Sequence, residues 1–316
     1  MPLAQRLQEV EIALWLDPTD PFTRDLYAWW LLEEGREEEG RRELSQSLFF
    51  SPALSTHSFL SENPLPKLAA EEQQAVEEGL QRALVAGNLE AVGGLGSFYA
   101  ALGRFADQGR LYEEVAQKEE ETPVRVQYLL NAGLAYNRAG DAERAETIFR
   151  RVIAAAPQDL RAYQYLATQV FAPRGKLDLA KAVIAEGIQK GADPLALSFS
   201  LAEAAQRAGK RADAKAALLQ ALTFQPSSAD AQFRLGLLYL QEQNFDRAAL
   251  ALRKVADLRP DDASAFYHLG LAEEGRYQFF AAGKAYARAV ELAPDNTGFR
   301  ARYEAFQRKV AEQKRP

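Results

Sequence analysis

Pro226, Pro260 and Pro294 stand 34 residues apart, and two other sets of landmarks keep the same step: Ala202, Gly236 and Gly270, and Ala214, Ala248 and Ala282. A fixed period of this length belongs to chains built from one small helical or mixed unit, repeated. No such unit buries its apolar face alone, and stacking supplies the core. The 316 residues exceed what one core usually organises, roughly 250–300. The period therefore selects a stacked array over two globular domains. An apolar fraction of 47% is ordinary for a folded chain and excludes disorder.

Cut at the period, three blocks follow one another: 195–228, 229–262 and 263–296. In each, the fourth, seventh, eighth and eleventh places share one helix face. The last block gives Phe266, Leu269, Gly270 and Glu273, the glutamate standing where an aromatic is expected. Small residues at the eighth and twentieth places let two antiparallel helices approach closely. Leu218, Leu252 and Tyr286, at the twenty-fourth, are expected to fill the space between one pair and the next. Proline at the thirty-second place ends the second helix, and Ser227, Ser228, Asp261 or Asp262 behind it caps the next. Block 126–159 fits as well, with Gly133, Tyr136, Gly140, Ala145, Phe149 and Pro157 in place. Block 160–194 is one residue longer, with 13 positions from Ala167 to Ala180, and has Ala192 in the proline's place, which predicts a second helix set askew. No stretch alternates with period two, so no sheet is expected.

These blocks resemble the tetratricopeptide repeat, a helix–turn–helix unit of 34 residues with small residues and a proline at the places named above. The resemblance extends to 21–54, through Ala28, Gly35, Gly40 and Pro52, and to 89–125, through Leu95, Gly96, Tyr99 and Gly103. It implies an all-α fold, a right-handed α-solenoid or superhelix of stacked repeats. The organisation it implies is a half-repeat over 1–20, degenerate repeats over 21–125, five regular repeats over 126–296 and a polar capping helix over 297–316. Pro64 and Pro66 predict a loop over Ser61–Lys67, then one long helix from about Ala69 to Ala86. Residues 5–18 match the second half of a repeat whose first helix is missing, which reads as a chain cut from a longer protein in preference to a natural cap.

Chemistry is sparse. Cysteine is absent, and the two histidines, His57 and His268, lie far apart in sequence, which excludes disulfides, thiolate sites and a clustered histidine metal centre. Ser97 lacks the flanking glycines of a nucleophile elbow, and Gly209-Lys210 and Gly283-Lys284 lack the upstream glycine of a phosphate loop. The run Glu33–Glu39 and the cluster Arg207, Lys210, Arg211 and Lys215 read as solvated surface. No catalytic residue, cofactor or metal is expected; an enzymatic reading would have only Glu203 and Glu274 as inward acids. A net charge of −6 argues against nucleic acid as partner. The longest apolar run, Leu26–Leu32, falls far short of the ~20 residues of a membrane helix. The chain reads as soluble, either cytoplasmic or the soluble part of an envelope protein.

By the resemblance, the second, fifth, ninth and twelfth places of each first helix face a groove. The fifth place reads Leu130, Gln164, Phe199, Phe233 and Tyr267. The ninth reads Leu134, Thr168, Glu203, Leu237 and Leu271, with Trp29 at the same place in 21–54. The twelfth reads Asn137, Phe171, Gln206, Leu240 and Glu274. Three successive aromatics flanked by leucines predict an apolar channel for a protein or peptide segment, helical or extended. An equal claim is that the rings pack on the neighbouring helix. Members of the family that clamp a C-terminal carboxylate use lysine, asparagine and arginine where this chain has Leu130, Leu134, Tyr165, Ala196 and Ser200, so no such clamp is expected. The resemblance implies a non-enzymatic scaffold or adaptor, with self-association left open. The alternative is a repeat region of a larger bacterial cell-envelope or glycan-assembly protein that positions other machinery.

Overall fold

The computed structural model describes residues 3–313, and among them every regular element is helical. The chain divides into two compact units at residue 155. The first holds α1 (Leu3–Leu16), α2 (Pro21–Glu33), α3 (Glu37–Phe50), α4 (Ser58–Glu62), α5 (Ala70–Val85), α6 (Glu90–Ala101), α7 (Phe105–Lys118), α8 (Thr122–Arg138) and α9 (Ala142–Ala155). The second holds α10 (Leu160–Tyr165), α11 (Leu177–Gln189), α12 (Pro194–Arg207), α13 (Arg211–Phe224), α14 (Ala229–Gln241), α15 (Phe245–Leu258), α16 (Ala263–Gly275), α17 (Phe279–Leu292) and α18 (Thr297–Gln313). Within 297–316, where a cap is expected, the chain forms a helix to Gln313; 314–316 lie outside the described residues. No described helix is long and apolar enough to cross a membrane.

Each regular repeat is a helical hairpin: α8 with α9, α12 with α13, α14 with α15, α16 with α17. A Cβ added to Gly133, Gly236 or Gly270 would fall 2.6 Å from Phe149, Leu252 or Tyr286. These larger side chains therefore occupy the room that the glycine leaves within their own hairpin. Leu252 also clusters with Leu269 and Ala272 of α16, and Tyr286 with Phe306 of α18 at 5.3 Å, so they fill the space to the next helices as expected as well as that within their own hairpin. The caps fall where the polar residues behind the prolines allow them: Ser228 Oγ accepts from the Ala231 amide at 3.3 Å, and Asp262 Oδ1 from the Ala265 amide at 3.0 Å.

The extra residue of block 160–194 is absorbed inside its first helix. After α10 the chain widens into a π-turn at Leu166–Phe171, then tightens at Ala172–Arg174 before a left-handed Gly175 (φ 70°). A π-turn is how a helix takes up one inserted residue. α11 then packs on this segment and on α12 as the other second helices do on theirs.

Where a loop over Ser61–Lys67 is expected, the chain instead makes α4 and a tight turn at Leu65–Lys67, then α5. Phe59, Leu60, Leu65 and Leu68 go into the core with Leu44, Leu48, Val76 and Leu80. The proline-broken segment is thus shortened but still packed. At the start, Leu7 and Val10 of α1 are buried, whereas Ile12, Trp15 and Leu16 are exposed, Trp15 at 80%.

Candidate functional site

The aromatics at the fifth place do not stand free. Phe199 lies under the guanidinium of Arg234, 5.0 Å from ring centroid to Cζ. Phe233 meets His268 edge-on at 5.4 Å, and Tyr267 stacks on Phe299 at 4.5 Å. Gln164 follows the same rule in polar form, its Nε2 donating to Ser200 Oγ at 2.9 Å. In all but the Tyr267 pair, the fifth residue of one repeat touches the sixth of the next. Even so, Phe199, Phe233, Leu237, Leu240, Tyr267 and Leu271 are only half-buried along α12, α14 and α16.

Three expected groove residues are withdrawn from any surface. Leu130 (1% exposed) sits on α8, whose buried residues Val126, Leu129, Leu130, Ala132 and Tyr136 run round the helix, so the helix is enclosed on more than one side. Thr168 (5%) and Phe171 (1%) fall in the π-turn. The extra residue there advances the register by one, and Phe171 takes the inward place that the eleventh residue holds elsewhere. Leu134, Asn137 and Gln164 are half-buried; Gln206 is exposed; Glu203 is half-buried and paired with Arg207 at 2.7 Å. Trp29 is half-buried and packs edge-on against Phe59 at 6.5 Å, so the proline-broken segment covers part of it.

Glu274 is not an open acid. Its carboxylate accepts from Tyr286 Oη at 2.9 Å, Arg302 Nη2 at 2.6 Å and Lys309 Nζ at 2.8 Å, and only 7% of the residue is exposed. Burial pushes its pKa up, but the bonds from Lys309 and Tyr286 and the charges of Arg302 and Lys309 outweigh it and hold the group below the usual value. Burial pushes the Tyr286 phenol upward too, and there it prevails. Glu273, in the place of the expected aromatic, is buried between Arg253 at 2.5 Å and Arg276 at 2.8 Å. Beside Glu274 opens a cavity of about 450 Å³, bounded by Leu240, Phe245, Leu271, Tyr277, Arg302 and Lys309.

One polar cluster has no counterpart in the sequence reading. His57 Nδ1 lies 2.9 Å from Ser47 Oγ and 3.2 Å from Asp25 Oδ1, its Nε2 donates to the Ser51 carbonyl at 2.7 Å, and Asp25 Oδ2 accepts from the Phe59 amide at 3.1 Å. These are the residue types of a hydrolytic triad, but serine and carboxylate share one ring nitrogen and the other is engaged by a carbonyl. A proton relay through the ring needs them on opposite nitrogens. The cluster instead ties the proline-broken segment to α2 and α3.

A family model described as tetratricopeptide repeat matches residues 110–159, 199–263 and 238–297. No curated protein matches the chain. Among solved structures, the chain is similar to YrrB, described as a TPR protein with an unusual peptide-binding site, at 18% identity and TM-score 0.42, over 56% of this chain and 91% of that one. It is similar to the MamA protein at 23% identity and TM-score 0.42, over 57% and 95%. It is also similar to TTC0263, a thermophilic TPR protein of Thermus thermophilus, at 24% identity and TM-score 0.37, over 58% and 98%.

Proposed function

The chain belongs to the tetratricopeptide-repeat proteins, and from that premise we propose that it is a scaffold whose first-helix face, in the unit after residue 155, holds a segment of a protein partner. One observation carries this reading: six apolar side chains on three successive first helices stay half-buried and lead to a cavity of about 450 Å³. An open apolar row continuous with a cavity is the ordinary mark of a contact surface. A partner segment would lay apolar anchors along α12, α14 and α16, as an extended or helical peptide does in a preformed groove. Binding by such a rigid stack needs no catalytic group.

The test is affinity capture with wild type and a Leu237→Glu variant that keeps its helical circular dichroism. Leu237 is half-buried and sits midway along the row. Loss of a discrete set of partners supports the assignment; an unchanged partner set moves the contact surface elsewhere.

A further inference from the structure

The cavity next to Glu274 carries three features that simple hairpin packing does not require. Arg302 and Lys309 share a single carboxylate, so the cavity wall holds one cation in surplus. Arg302 Nε is buried without a hydrogen-bond partner among the described residues. Tyr277, 78% exposed on the same wall, has φ 61° at the turn between α16 and α17. Among the described residues, only Gln243 at the preceding hairpin turn shares a positive φ without being glycine. The matching turns at Gly140 and Gly209 use glycine for this left-handed conformation, which costs a side-chain-bearing residue about 1 kcal/mol or more. Strain retained at an exposed ring beside a cavity points to use of that ring.

A further arginine stands along the row. Arg234, at the sixth place of its repeat, has no carboxylate partner among the described residues and covers Phe199. His268 holds the sixth place against Phe233, and Arg302 holds it in α18. Glu203 is neutralised by Arg207. On a chain of net charge −6 this face carries a cationic surplus alternating with aromatic rings.

Building on the scaffold reading above, we propose that the partner is an acidic peptide segment. Its carboxylates meet Arg234 and the Arg302–Lys309 pair, and an apolar side chain enters the cavity between Leu240, Leu271 and Tyr277. Complementary charge selects the sign of the partner and speeds encounter, while the apolar anchor supplies most of the affinity.

Panning a random peptide library on the full chain tests this, followed by affinity measurements on the enriched peptides. Acidic sequences with apolar residues should be enriched, and their binding should weaken as salt rises. Lys309→Gln should weaken them roughly three- to tenfold. Tyr277→Gly, which relieves the backbone and leaves the fold at least as stable, should weaken them too. Enrichment of neutral or basic peptides, no enrichment at all, or indifference to both variants overturns the proposal. If neutral peptides are enriched and Leu237→Glu abolishes their binding, the groove stands and only its acidic preference falls.

Discussion

His57 and Asp25 meet at 3.2 Å inside the first unit, at 2% and 1% exposure, and hold the segment between α3 and α4 onto α2. Asp25→Ala would leave the buried Phe59 amide without an acceptor and take one of the two neighbours from His57 Nδ1, which costs about 1–3 kcal/mol. All three tryptophans, Trp15, Trp29 and Trp30, lie in this unit. Urea unfolding followed by their fluorescence should therefore show a midpoint far below wild type; an unshifted transition would show that the pair contributes nothing.

Two adjacent glycines of α6 should respond to alanine with opposite sign. A Cβ on Gly93 would meet nothing within 4 Å, so Gly93→Ala should stabilise by about 0.5–1 kcal/mol through the unfolded chain and helix propensity. A Cβ on Gly94 would run into the backbone carbonyl of Pro52, which cannot move cheaply, so Gly94→Ala should destabilise by roughly 1–3 kcal/mol. Thermal unfolding of the two variants decides it, and equal shifts would refute the packing described.

Tyr277→Gly should raise the melting temperature. The ring is mostly exposed, so little packing is lost, and about 1 kcal/mol of left-handed strain is relieved. Calorimetry of the full chain measures it. A lowered melting temperature would mean that the ring supports the fold.

The Glu274 network predicts a sign for acid unfolding. Its pKa is lowered in the folded chain, so its stabilisation is fully present above the ordinary value of 4.5 and is lost as pH falls through the lower folded value. Wild type should therefore lose stability in this window more steeply than Glu274→Gln, whose side chain does not titrate. Melting curves from pH 6 downward, at about half-unit steps, compare the two slopes. Parallel slopes would remove Glu274 from the account of acid sensitivity.

Much of the candidate face was legible because each of its helices repeats the same register. The aromatics at Phe199, Phe233 and Tyr267 are where the period puts them. Their partners Arg234 and His268 were also within reach, one residue beyond one full period. The period failed at the π-turn, since counting along the chain cannot say where in a helix an extra residue is absorbed. Phe171 then exchanged an outward place for an inward one. It failed again at Glu274, whose three donors come from α17 and α18.

The 34-residue step by itself determined that the chain is helical hairpins, where the regular ones turn, and which small residues let them close, because these depend on neighbours at fixed separations along one chain. Tertiary structure alone decided which side chains remain open. Exposure depends on what the next helix brings to each flank, and so does the state of a buried charge. His57 lies where the repeat is broken and Glu274 beside α18, and there part of their surroundings comes from segments outside the regular repeats.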